Sequence, residues 1–278
     1  MRDATADTPR ATRAFVGCAG WSLRKEHFPL FPSGSSHLER YASRFNCVEI
    51  NSSFYRSHRV ATYQRWRDAT PPDFRFSVKL PKQITHVNHL KCSHDAIAQF
   101  SAEVGGLGSK LGAVLVQLPP SFEFERSAAD EFFDQLTDVI HAPAVVEPRH
   151  SSWFEEAANS LLTAWAVGRV AADPAVTVDA STPLIASDLA YYRWHGSPRI
   201  YYSSYGQSSL SELARRVACL ITEGRDVWCI FDNTAEGAAT INGLSMKTYC
   251  DEVNADRATA LPAYCIRGGT ILVSFGAV

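Results

Sequence analysis

Residues 47–55 read Cys-Val-Glu-Ile-Asn-Ser-Ser-Phe-Tyr. A β-strand points successive side chains to opposite faces, so Val48 and Ile50 share one face and Glu49 and Asn51 the other. The apolar face suits packing against helices. The other face sends a carboxylate and an amide into an enclosed interior, near the C-terminal end of the strand. Seven more short runs share this form: 15–21, 74–81, 113–119, 144–150, 169–174, 190–196 and 226–233. They are rich in β-branched and aromatic residues, and most end at a polar residue, Gly or Pro. Such runs read as buried strands of a parallel sheet.

Helical segments separate most of them. Leu38, Tyr41, Ala42 and Phe45 line one helical face. Residues 127–140 open on Ser127, a capping candidate, and group Phe132, Phe133 and Leu136. Residues 153–167 and 208–223 have similar patterns, and 236–249 a weaker one, whereas 175–187 is poor in helix formers. Strand then helix, with no linker between halves, predicts an α/β protein: a single (β/α)8 TIM-like barrel with its site at the C-terminal ends of the strands. An open doubly wound sheet is the competing architecture, and its glycine fingerprint is missing. Gly17-Cys18-Ala19-Gly20 opens a loop, with no phosphate-binding helix start. The barrel is assigned to residues 14–250. Residues 1–13 read as a disordered leader, and 251–278 as a tail of uncertain structure whose apolar TILVSF run has no place in an eight-strand count.

Composition narrows the class. The chain has 278 residues, 46% hydrophobic and 20% charged, with a formal charge of −2, too small to imply general affinity for nucleic acid or a membrane surface. Anion binding therefore requires a local cluster. The sequence has no long apolar run and no hydrophobic signal core, so no membrane partner is expected. Seven cysteines, odd in number and without a CxxC pair, argue against a disulfide framework or a structural zinc site and point to a reducing, cytoplasmic setting.

Strand parity assigns the interior. Glu49, Asn51, Ser77, Lys79, Leu115, Gln117, Val145, Glu147 and Arg149 point inward. The sixth run offers Asp173 at its end, the seventh offers Arg193 and His195 around an outward Trp194, and the eighth ends in Asp232 and Asn233, one facing each way. Glu49, Glu147 and Asp173 stand against Lys79, Arg149 and Arg193, with His195 titratable beside them. Burying any one unpaired costs several kcal/mol, so the group is paired, hydrated or ligand-bound. A purely structural network closing one end of the barrel is the bland alternative. The loop after the third strand adds His86, near Lys79 and Lys82, and His89, read as solvated. His150 follows Arg149, Trp153 offers an apolar wall or ordinary packing, and Tyr201, Tyr202 and Tyr205 form a cluster able to cover a pocket.

The ordered stretches GCAGWS, FNCVEINSSFYR, FSVKLPKQITH, LGAVLVQLPPSF, VEPRHSSW, YYRWHG and FDNT resemble the YecE-like family, a domain of unknown function, from about Phe15 to Tyr249. The resemblance implies a TIM-barrel-like fold and no established activity. It also implies equivalence of the family's recurrent polar positions to Glu49, Asn51, Lys79, His86, Gln117, Glu147, Arg149, His150, Asp173, Arg193, His195 and Asn233. Two departures stand out: Pro148 replaces the family's usual aromatic residue, and Asp232 its common Asn.

The leading expectation is a hydrolase or lyase acting on a phosphorylated or other anionic substrate, including a phosphodiester. Lys79, Arg149 and Arg193 would bind its charge, with Asn51, Gln117, His150, Trp153, Tyr205 and Asn233 completing the binding shell. His195 or His86 would move protons, and Glu147, Glu49 or Asp173 would serve as base or orient the imidazole. Nucleic acid has weak support. No cofactor is expected, although a divalent metal is chemically admissible on the carboxylates and His195. The alternatives are a non-catalytic module that binds an anion or nucleic acid, and a glycosidase using Glu49 and Glu147.

Overall fold

A computed structural model describes residues 12–259 apart from residue 92. The expected leader up to residue 11, the TILVSF run, Cys92 and Cys265 lie outside the described residues. Among the described residues nine strands form two sheets whose strand pairs are all parallel. One runs β2 (Cys47–Ile50), β3 (Arg75–Lys79), β4 (Leu111–Gln117), β5 (Ala144–Glu147) and β6 (Gly168–Arg169). The other orders β1 (Ala14–Cys18), β9 (Asp226–Phe231), β8 (Leu189–Trp194) and β7 (Ala171–Asp173).

Backbone contacts join the two sheets at two places. At one seam Ala19 bridges Glu49, and the Gly20 N–H donates to the Glu49 carbonyl at 2.9 Å. Gly17 makes this approach possible, because a Cβ there would stand 2.2 Å from the Cys47 carbonyl oxygen. At the other seam the expected sixth run is divided at Val170. Its first part pairs with β5, its second with β8, and the Val170 N–H donates to Val146 O at 2.9 Å.

Parity sorts the core into two clusters. Phe15, Leu115, Val145, Val170, Tyr191, Trp228 and Ile230 come from both sheets and pack together on the inner faces. Val48, Ile50, Val78, Val116, Val146 and Phe231 face the helices with Phe132, Phe133 and Leu136. Burial on both faces is why these strands are apolar without strict alternation.

The helices are α1 (His37–Ala42), α2 (Ser52–Tyr55), α3 (Val60–Asp68), α4 (His94–Val104), α5 (Arg126–Val139), α6 (Glu156–Ala164), α7 (Gln207–Thr222) and α8 (Ala238–Thr259). Four expectations need correction. Ser127 lies inside α5, whose N-cap is Glu125 with no side-chain cap. Residues 153–167 are broken into a 3-10 turn, Ser151–Phe154, and α6. The helices α3 and α4 occupy stretches left unassigned by periodicity; α3 buries only Tyr63, too little for an apolar stripe. The boundary at residue 250 falls within α8, which continues to Thr259.

Candidate functional site

Four strands deliver the centre of the site. Glu49 comes from β2, Glu147 ends β5, Arg193 lies near the end of β8, and His195 and Asp232 each follow a strand by one residue. Arg193 is fully buried, and each of its three nitrogens has a carboxylate partner. Its Nε donates to Glu49 at 2.9 and 3.2 Å, Nη2 to Glu49 at 2.6 Å and Asp232 at 3.1 Å, and Nη1 to Glu147. Beneath it the Tyr191 hydroxyl donates to Glu49 at 2.8 Å and lies 2.9 Å from the Ser77 hydroxyl. Burial disfavours charge at Glu147, but Arg193, Arg149 and His195 outweigh it and hold the carboxyl well below the usual range. Asp232 is lowered in the same way, burial being overcome by Arg193 and His195.

His195 links two carboxylates. Its Nδ1 lies 3.0 Å from Asp232 and its Nε2 2.8 Å from Glu147 Oε1. An ionised carboxylate only accepts, so the Nδ1 proton belongs to the Asp232 bond. Nε2 faces a choice, because Arg149 Nη2 also approaches it at 2.6 Å and Glu147 at 2.5 Å. Protonated Nε2 donates to Glu147; unprotonated Nε2 accepts from Arg149. Proton position at this atom is therefore coupled to the Arg149 guanidinium.

Glu49, Glu147, Arg193 and His195 have no solvent exposure in the described state. Above them lies a polar mouth, a cleft of about 320 Å³ whose lining includes Asn51, Tyr55, Lys79, Tyr201, Tyr202 and Asp232. Lys79 forms no ion pair among the described residues, and its Nζ lies 4.0 Å above the Phe54 ring centre. Burial and the nearby Arg193 push its pKa down to about 8, against the opposing pull of Glu49, Glu147 and Asp232. The buried Oδ1 of Asn51 has no hydrogen-bond partner. Tyr201 holds a left-handed backbone, φ 70°, its N–H donates to His195 O at 2.6 Å, and its ring stands edge-on to His195 at 6.2 Å. A bulky non-glycine residue in that region stores strain, and such strain clusters at functional sites.

The remaining expected residues divide. Gln117 is half-buried and in register with Glu147 on the neighbouring strand. His86 stacks edge-on against Phe54 and hydrogen-bonds Thr85 through Nδ1 at 2.8 Å. Burial, then Lys79 and Lys82, push it down to about 4, so at neutral pH it is the uncharged imidazole. His150 caps the 3-10 turn after β5 through Ser152, at the rim. Four lie apart from the cluster. Asp173 points to the outer layer, where Tyr205 donates to it at 2.7 Å. Asn233 donates to Ser203 O and Asn242 Oδ1, both at 2.8 Å, pinning the loop after β8 to α8. Trp153 is fully buried and donates to Phe122 O at 3.0 Å. For Asp173, parity itself gives the reason: Val170 faces inward, so Ala171 and Asp173 face outward.

Asp232, expected only as a strand-end carboxylate admissible as a metal ligand, joins the centre, and so does Tyr191, which was not expected. Tyr191 was findable, being two residues before Arg193 on the same face. Among the described residues no group of three His, Cys, Asp or Glu is arranged to hold a metal ion. The carboxylates that would form one are turned onto the guanidinium of Arg193.

The family model for a protein of unknown function, DUF72, matches residues 15–263, beyond the end at Tyr249 expected from the motifs. The chain is 33% identical over 165 residues to UPF0759 protein YecE of Escherichia coli K12, covering 57% of this chain and 58% of that one. It thus spans little more than half the length of that relative. It is 24% identical over 270 residues to UPF0759 protein YunF of Bacillus subtilis, covering 85% and 94%. Among solved structures it resembles a DUF72 family protein of Thermotoga maritima, with TM-score 0.70, 25% identity and coverage of 86% and 99%. A DUF72 family protein of Enterococcus faecalis has the same fold, with TM-score 0.72, 22% identity and coverage of 86% and 96%. With parallel sheets of matching architecture and a family match across most of its length, this chain belongs to the DUF72 family, whose function is unknown.

Proposed function

We propose that the two sheets close into a (β/α)8 barrel, and that the mouth over its strand ends is the active site of a hydrolase or lyase acting on a small anionic substrate. The carrying observation is Lys79. Every other cation of the centre has a carboxylate partner: Arg193 has three, and Arg149 has Glu147 through Nη2, although its buried Nε is unpartnered. Lys79 faces the mouth without a carboxylate partner, which favours a ligand that brings one or brings a phosphate. Asn51 adds an unpartnered acceptor for a ligand hydroxyl or N–H. Asp232, the carboxylate that reaches both the mouth and His195, connects bound substrate to the buried proton pair of His195 and Glu147. This reading moves anion binding away from Arg193.

A phosphodiester stays within this reading, since Tyr55, Tyr201 and Tyr202 are exposed around the mouth and offer faces for a flat group. The glycosidase alternative loses support, because Glu49 and Glu147 both grip Arg193, where a sugar and its water would have to sit. A second reading, an anion-binding module without turnover, draws on the complete burial of Glu147 and His195.

Calorimetric titration with inorganic phosphate, pyruvate and a dinucleotide tests the anion site. Lys79→Met is expected to weaken binding at least tenfold, and Arg149→Met less. Undiminished affinity in Lys79→Met, or no binding of any anion by the wild type, overturns the reading. Turnover of a bound anion that Asp232→Asn abolishes selects the enzyme; binding without turnover selects the module.

A further inference from the structure

We infer that Lys79 is a nucleophile that forms an imine with an aldehyde or ketone carrying an anionic group next to its carbonyl, the class of 2-oxo acids. This rests on the reading that the substrate enters the mouth over Lys79, and it names the substrate within it.

The argument starts from position. Lys79 ends β3 with its side chain turned inward, 9% exposed, its ammonium over the Phe54 ring. A lysine that serves only structure in such a place has a carboxylate at ion-pair distance, and three carboxylates are close by. Each is taken by Arg193 instead. The nitrogen is left at the wall of a cleft of about 320 Å³, room for a compound of a few carbons. Desolvation and a neighbouring guanidinium are the two means by which proteins free a lysine nitrogen for nucleophilic attack. Both act here, burial first and Arg193 second, so that near pH 8 a large share of the side chain is the free amine.

The step balances with groups on the page. The amine lone pair of Lys79 attacks the carbonyl carbon, the C=O π pair moves to oxygen, and that oxygen takes a proton. The nitrogen keeps one hydrogen, the C–O bond breaks, and the oxygen takes a second proton and leaves as water. Overall, amine, carbonyl compound and one proton give a protonated imine and water. Asp232 lines the cleft and hydrogen-bonds His195, so it can pass protons to and from that oxygen. The product nitrogen remains cationic beside the substrate's own carboxylate. The charge pairing that attracted the substrate therefore survives the covalent step. A 2-oxo acid satisfies this condition; an isolated carbonyl does not.

The test uses the full chain with pyruvate or glyoxylate as probe and sodium cyanoborohydride to trap the imine, followed by intact mass and peptide mapping. A single reduced adduct on Lys79 is expected, at least tenfold above that on exposed Lys82 and at least tenfold above that from acetaldehyde at equal concentration. It should rise with pH through 8. Lys79→Arg should lose the adduct while Lys82→Arg keeps it, each variant first shown to melt as a folded protein. Should Lys79→Arg fail to fold, mapping on the wild type alone decides. No adduct, an adduct spread evenly over lysines, or equal trapping of acetaldehyde overturns the inference. If pyruvate binds by calorimetry and is not trapped, the imine fails and the anion site stands; if it neither binds nor is trapped, both fail.

Discussion

Arg193 grips Glu49 side-on: Nε donates to one carboxylate oxygen at 2.9 Å and Nη2 to the other at 2.6 Å, with neither side chain exposed. The pair joins β8 of one sheet to β2 of the other. Removing one member of a buried pair leaves the other charge without compensation, at about 3–5 kcal/mol. Arg193→Met exposes three carboxylates to each other and should cost at least that much in urea denaturation at unchanged slope. Glu49→Gln should cost less, since Glu147 and Asp232 still hold the guanidinium. Equal losses would mean that the network is not centred on Arg193.

Acid should unfold this centre. Glu147 and Asp232 have folded pKa values below their ordinary 4.5 and 3.8, so between the folded and unfolded values the native chain binds fewer protons and stability rises with pH. Their contribution is complete above the ordinary values and is lost as pH falls through the folded ones. Urea midpoints from pH 6 downward should drop for the wild type and drop less steeply for Glu147→Gln.

Lys79 shifts stability in the same direction with pH, on the alkaline side. Its ordinary 10.5 falls to about 8 in the fold, so in that window the native chain again holds fewer protons and stability climbs with pH. Below it the chain carries the cost of a desolvated ammonium. Lys79→Met should be more stable than wild type at pH 7, with the gap closing above pH 8. A variant less stable at pH 7 would show that the ammonium is well compensated. A stabilising substitution that removes binding is the usual signature of a site kept for function.

Gly17→Ala addresses the seam between the sheets. Its Cβ would press on the Cys47 carbonyl at 2.2 Å and its thiol at 2.9 Å, both held by the packed core. Overpacking of this kind costs about 1–3 kcal/mol or more, read as a lowered melting temperature. An unchanged melt would mean that the seam is loose.

Asp173→Asn and Tyr205→Phe separate the outer layer from the site. Tyr205→Phe removes a hydrogen bond to a carboxylate, worth about 1.5–3 kcal/mol. Anion affinity measured by calorimetry should not change in either variant. A loss of affinity with Asp173→Asn would return that residue to the site.

What could be read in the linear chain is what depends on period and parity. The run CVEIN already separates Val48 and Ile50 from Glu49 and Asn51, because neighbouring strand residues cannot share a face. The same rule carries Glu147, Arg193 and His195 inward, and it would have carried Asp173 outward had it been applied from Val170. The helix α5 shows its buried face in Phe132, Phe133 and Leu136; α3 shows none, as only Tyr63 is buried, and packing in three dimensions decides it. Pairing among the charges belongs to the fold alone. Nothing in the order of residues says that one guanidinium, 144 positions from Glu49, takes three carboxylates and leaves Lys79 with none. Alternation assigns a face, a local property of the backbone. Which cation meets which anion depends on strand register and on distances between segments remote in sequence, and burial then makes that choice energetically decisive.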